Sequence, residues 1–138
     1  MKIHVTKMGE ETIQGYKHTV VSDNYINFMD ISSNECSEIL ANDVLDSFSS
    51  DKIKECVISL VDKLRLGGKL VIGGKDLRLF CKSVINGMIG DKEASVILMG
   101  VNSMQSINAV RPIVESLGLK VLSTHLAGIH FELTAQRG

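Results

Sequence analysis

Carboxylates recur wherever a strand should release its chain: Glu10, Glu11, Asp23, Asp30, Asp43, Asp46 and Asp76. At a strand end, such a group can accept hydrogen bonds from a ribose hydroxyl or an adenine amino group, or hold a cation. Helix capping is the competing use, and Asp51 and Asp76, each directly before a helical pattern, fit it well. Asp30 follows "INFM" with no long helix immediately after it, and Asp43 follows "EILAN", so for these two both uses stay open.

Other reactive residue types offer less. His4, His18, His125 and His130 lie in or beside expected strands, and none pairs with another His or Cys at helical i, i+4 spacing, so no metal site is expected. Cys36, Cys56 and Cys81 are odd in number and lack a C-x-x-C pairing; they read as small buried hydrophobes in a reducing compartment. No G-x-S-x-G elbow presents a serine nucleophile.

The elements that must position the carboxylates follow from periodicity. Strands are expected at residues 2–6, 16–21, 26–29 and 36–41, the last carrying Ile39 and Leu40 in succession as a strand covered on both faces does. Across residues 51–64, Ile53, Cys56, Val57, Leu60, Val61 and Leu64 keep one apolar helix face. Gly67-Gly68 and Gly73-Gly74 then bracket a strand at residues 69–72. Leu77, Phe80, Cys81, Val84, Ile85 and Met88 repeat the helical offsets behind Asp76, with Gly87 or Gly90 as the stop.

Residues 94–101 could be a strand or a buried loop. Residues 104–117 have helical spacing interrupted by Pro112, which implies a kink or a shorter helix from near Arg111. Alternation on both sides of Ala127-Gly128 predicts a terminal β-hairpin over residues 119–125 and 129–136.

Strand and helix in alternation predict an α/β fold, a mostly parallel central sheet with helices on both faces and a C-terminal antiparallel hairpin. In such a sheet ligands bind beyond the carboxyl ends of the strands. Here that edge is residues 7–11, 22–24, 30–32, 42–46 and 73–76.

With 138 residues, 44% hydrophobic and 22% charged, one domain spanning 1–138 is expected. A formal net charge of -1 and only two Tyr and four Phe argue against nucleic acid. No stretch has the length of a bilayer span, and "MKIHVTKMGEE" lacks the apolar core of a leader, so a cytoplasmic protein away from membranes is expected.

The order of the central pieces resembles a known family. "CSEILANDVLDSF", a helix, and then "LRLGGKLVIGGKDL" are similar to the middle of class I S-adenosylmethionine-dependent methyltransferases, where D-x-I-x-A-x-x-V-L-E-H precedes a helix and L-K-P-G-G-x-L. "SLGLKVLSTHLAGIHFELTAQR" is similar to the family's last helix and hairpin, so the resemblance covers most of the chain. Leu66 stands where the family has proline, and "KIHVTKMGEETIQGYKHTVV" stands where its small branch reads K-L-x-L-G-C-G and then P-G-Y/W-x-x-x-D.

What the resemblance implies is a Rossmann-like methyltransferase fold with S-adenosylmethionine as cofactor. Gly9 is then the glycine remaining near the methionine part, Asp30 matches the acid facing the adenine amino group, and Ile31 lies beside the ring. The ribose acid falls near Val20, with Asp23 as its substitute from the following loop. Asn42 and Asp43 lie where the family meets cofactor and substrate, and Asp43 would orient or deprotonate a nucleophile.

The first motif departs from the family. Thr6, Lys7 and Met8 occupy the glycine region, and Lys7 brings a positive charge toward a sulfonium unless Glu10 or Glu11 pairs with it. Two functions follow: a methyltransferase-like enzyme acting on a small molecule or sugar, or an inactive methyltransferase-fold binding module or partner subunit. A homo-oligomer could form through the terminal hairpin as a sheet edge.

Overall fold

The computed structural model describes residues 1–28 and 30–138. β1 (Lys2–Lys7) pairs in parallel with β2 (Lys17–Ser22) on one side and β4 (Cys36–Ala41) on the other. β5 (Leu64–Lys75) continues the parallel set, and the hairpin of β6 (Leu119–Ala127) and β7 (His130–Arg137) adds to it antiparallel. The short β3 (Tyr25–Ile26) turns back on β2. The order β3-β2-β1-β4-β5-β7-β6 gives the Rossmann-like α/β fold expected, with strand order reversing between β1 and β4.

Alternation decides which side of the sheet is buried. Ile3, Val5, Ile39, Leu70, Ile72 and Leu133 point to one face, where α1 (Ile53–Lys63) brings Cys56, Val57 and Leu60 and α4 (Ile107–Ser116) brings Val110 and Val114. Their alternates His4, His18, Leu40, Val71 and Thr134 are only half-buried. The β1–β2 connection and the β2–β3 turn hold no helix to lay over that second face. α2 (Leu77–Ile85) and α3 (Asp91–Met99) instead pack on Ile129, at the β6–β7 turn.

Five expectations change, the last being the burial of Cys81. β5 starts directly at Leu64 and runs through both glycine pairs, which do not bound it. Against β4 its register jumps from Cys36↔Leu64 to Glu38↔Lys69, so Arg65 to Gly68 bulge out, with Gly67 at φ +78. Gly73 is a close-approach glycine: a Cβ there would run into the carbonyl oxygens of Phe131 and Asn42.

Of the segment 94–101, residues 94–99 belong to the helix α3 and Gly100 is its C-cap; Val96, Leu98 and Met99 are exposed, and these outward apolar residues hid its period. Pro112 lies inside a ten-residue α4, so the helix does not wait for Arg111 to begin. The third strand sits at Tyr25–Ile26, ahead of most of the expected span 26–29, of which Met29 lies outside the described residues.

Asp76 caps α2 as expected, accepting from the amides of Arg78 at 2.9 Å and Leu79 at 3.1 Å. Its second oxygen accepts from the amide of Ile107 at 3.0 Å, the start of α4, where Ser106 makes no side-chain cap. One buried aspartate thus fixes two helix N-termini, satisfying amides that have no partner within their helices. Cys36 and Cys56 are buried as expected, whereas Cys81 is exposed because it lies on the outer side of α2.

Candidate functional site

The carboxyl edge at the β1–β4 reversal is assembled from three strand ends and a turn. β1 delivers Lys7 and β5 delivers Lys75, while the chain leaving β4 passes through Asn42 and Asp43 into a 3-10 turn, Leu45–Ser47, that holds Asp46. The turn is tied to the sheet by the Val44 amide donating to the Gly73 carbonyl at 3.2 Å, and the Asn102 amide donates to the Asp46 carbonyl at 2.8 Å.

These ends converge on one buried carboxylate. Lys7 Nζ lies 3.0 Å from Asp46 Oδ1 and 3.3 Å from Asp43 Oδ2, and Lys75 Nζ lies 3.0 Å from Asp46 Oδ2. The Asp46 side chain is 1% exposed. Burial works to lower the Lys7 pKa, but Asp46 and Asp43 outweigh it and hold the ammonium above the ordinary lysine value. The crevice therefore contains a charged lysine. Asp43 Oδ1 has no hydrogen-bond partner there.

Gly9, Asp23, Asn42 and Asp43 share this edge. Gly9, at φ +86, forms the turn after β1, in which the Glu10 amide donates to the Lys7 carbonyl at 3.2 Å. Farther along that loop, the Ile13 amide donates to His18 Nε2 at 3.2 Å. Asp23, in the β2–β3 turn, accepts from Asn102 Nδ2 at 3.2 Å. The Asn42 side chain donates to Glu132 of β7, away from Lys7.

Asp30 and Ile31 lie at the other edge. The Ile31 carbonyl accepts from Lys63 Nζ at 3.0 Å, at the end of α1 just before β5 begins. Asp30 borders a hollow of about 70 Å³ with Lys17 and His18, the first residues of β2. The antiparallel β3 is the cause, since it carries the chain back toward the amino ends before β4.

Sequence reasoning missed Asp43 and Asp46 as partners of Lys7, and Lys75 as the second cation on Asp46, and looked to Glu10 and Glu11 instead. The one available signal was a lysine at the end of the first strand. Its partners come from other strand ends, at sequence distances that no local pattern reports. A larger hollow of about 290 Å³ opens between β3 and α1, with Tyr25, Phe28, Phe48, Lys52 and Cys56 in its wall. No group of three or more His, Cys, Asp or Glu able to hold a metal occurs among the described residues.

These residues do not fit S-adenosylmethionine in the manner the resemblance implies. A charged ammonium, paired to two carboxylates, stands at the end of the first strand, and the residues matched to the adenine contacts are on the opposite edge. With Lys75 the cluster sets two ammonium groups against Asp43 and Asp46, so its formal charges balance and the Lys7 side chain itself fills the strand end.

No family model and no curated protein matches the chain in sequence. Solved structures do match. A protein from Pyrococcus horikoshii OT3 superposes with a TM-score of 0.63 at 10% identity, covering 99% of this chain and 72% of that one. A SAM-dependent methyltransferase from Archaeoglobus fulgidus gives 0.64 at 8% identity, covering 89% and 68%. The N-methyltransferase NodS from Bradyrhizobium japonicum WM9, solved with S-adenosyl-L-homocysteine, gives 0.50 at 14%, covering 80% and 51%. At such identities the likeness is one of architecture, and it agrees with the strand order. The chain has the class I S-adenosylmethionine-dependent methyltransferase fold.

Proposed function

We propose that this chain is a non-catalytic methyltransferase-fold module that acts through a protein partner. The observation that carries this reading is the ion cluster of Lys7 and Lys75 with Asp43 and Asp46, which sets paired side chains where the fold receives its cofactor. Breaking the cluster to admit a ligand would leave a buried carboxylate short of partners, at a cost of roughly 3–5 kcal/mol.

The test is isothermal titration calorimetry of S-adenosylmethionine, and of S-adenosylhomocysteine, into the purified chain. The expected result is no saturable heat with either ligand at millimolar concentration. Saturable binding that weakens in Asp43→Ala overturns the reading.

One observation favours a second reading, methyl transfer to a small molecule or sugar. Asp43 Oδ1 is buried at the crevice without a partner, as a group waiting to accept a proton or a hydroxyl would be. Asp43 would then orient or deprotonate the nucleophile. That reading requires the saturable binding just described, so one titration separates the two.

A further inference from the structure

β1 and β2 run parallel with Ile3 beside Lys17 and Lys7 beside Val21, so residues 8–16 must return from the carboxyl end of one strand to the amino end of the other. The return spans about 13–17 Å, and such crossovers ordinarily take about a dozen residues or more, usually with a helix. Here a shorter segment does it without one, as a strap. A turn closes each end: the Glu10 amide donates to the Lys7 carbonyl and the Tyr16 amide to the Ile13 carbonyl, both at 3.2 Å. Gly9 at φ +86 and Gly15 at φ +88 hold the third position of each turn, where positive φ suits glycine. Residues 8–15 are all exposed.

Between the turns, a side chain of the sheet takes hold of the strap. The Ile13 amide donates to His18 Nε2 at 3.2 Å. An imidazole accepts there only when it is neutral with its proton on Nδ1; once protonated, both ring nitrogens are donors and the Ile13 amide meets a proton. His18 stands beside His4, its register partner on β1, with ring centroids 5.0 Å apart. His4 Nδ1 is buried without a hydrogen-bond partner. The charged groups around the pair are Glu10 of the strap, Lys2 and Glu38, both engaged with Tyr16, and Lys17 and Asp30 at the small hollow beside His18. At His4, burial and the His18 ring outweigh Glu10 and lower its pKa, so Glu10 gains no cation there to hold the strap.

We propose that the strap is a proton-released latch: a proton on His18 ends its hold on Ile13, and residues 10–14 swing away on the two glycine turns. Release uncovers His4, His18 and the side of β1 and β2 over which no helix lies. Because the strap begins at Lys7, the chain beside the ion cluster is freed with it. The latch does not depend on whether the crevice binds a cofactor.

Nuclear magnetic resonance on the nitrogen-15-labelled full chain tests it, between about pH 7.5 and pH 5.5, the range in which imidazoles change charge. The heteronuclear NOE reports the order of each backbone amide, and the ring protons of His18 report its titration in the same sample. The expected result is a loss of NOE at Thr12 and Ile13 with the same midpoint as the His18 ring, while the core amides of Ile39 and Leu70 do not change. His18→Gln, whose side-chain oxygen accepts at every pH, should keep the strap ordered throughout. His18→Leu should leave it loose throughout, and Glu10→Gln should leave the release in place. A strap that keeps its order while His18 titrates overturns the proposal, as does a His18 ring that does not titrate in this range. An ordered strap in His18→Leu, the same acid response in His18→Gln, or a loss that comes only together with the core amides also overturns it.

Discussion

Lys7 Nζ stands 3.0 Å from Asp46 Oδ1, linking the last residue of the first strand to a carboxylate that has almost no contact with water. Lys75 holds the other oxygen at 3.0 Å, so three chain segments are fastened at the point where strand order reverses. The cluster is a structural tie across the crevice.

Asp46→Asn should destabilise the fold by about 3 kcal/mol, because both half-buried ammonium groups lose their shared, buried charge partner. Urea denaturation followed by circular dichroism gives the number. Glu115→Gln, which removes an exposed ion pair with Arg111, should cost less than about 0.5 kcal/mol and serves as the control. Equal costs for the two would show that the cluster is not a significant tie.

Asp76→Ala should cost about 2–4 kcal/mol, since it removes the α2 cap and the acceptor for the first amide of α4. Hydrogen exchange should quicken at Arg78, Leu79 and also at Ile107. Unchanged protection at Ile107 would mean that Asp76 does not bridge the two helices.

Gly73→Ala should prevent a stable sheet, because its Cβ meets backbone on both neighbouring strands, which no side-chain movement relieves. Gly87→Ala has open space around it and only a left-handed φ of +76 to maintain, so about 1 kcal/mol is expected. Thermal melts of the two variants should differ widely; similar melting temperatures would contradict the close approach at Gly73.

Acid should weaken the fold through His4. Burial, and then the neighbouring His18 ring with its centroid 5.0 Å away, depress the His4 pKa below 6.5, against a smaller raising effect of Glu10. The unfolded chain then binds the proton first, so this stabilisation is present above pH 6.5 and is lost as pH falls through the depressed native value. Denaturation midpoints measured from pH 7.5 downward should decline less steeply in His4→Gln. A parallel decline in both proteins would remove His4 as a cause.

Thiol chemistry should report the outer side of α2. Cys81, exposed, should react with a maleimide in the native protein, while Cys56, with its pKa pushed up to about 12 by burial, should react only after unfolding. Mass spectrometry after brief labelling distinguishes them, and native labelling of Cys56 would contradict its burial.

Much of the fold was legible in the sequence because its cause is local. The apolar offsets of Ile53 to Leu64 bury one helix face, those of Leu77 to Val84 mark a helix that buries Phe80, Asp76 precedes it as a cap, and alternation around Ala127-Gly128 requires a hairpin. The order of these elements was enough to indicate the α/β architecture. Periodicity failed at α3, whose apolar residues also point outward, and at Gly73, which is a glycine because of two strands far away in the chain.

Asp43 and Asn42 were legible as crevice residues because they follow a strand directly. Asp30 was placed at this edge by the strand expected at 26–29 and by its resemblance to a motif, and the two-residue β3 reversed the direction on which that placement depended. Residue types and local spacing determined which elements form and which carboxylates lie near strand ends. Only the tertiary structure decided that Lys7 and Lys75 share Asp46, because ion pairing in a buried crevice depends on distance in space, and each of these residues arrives there on a different strand end or turn.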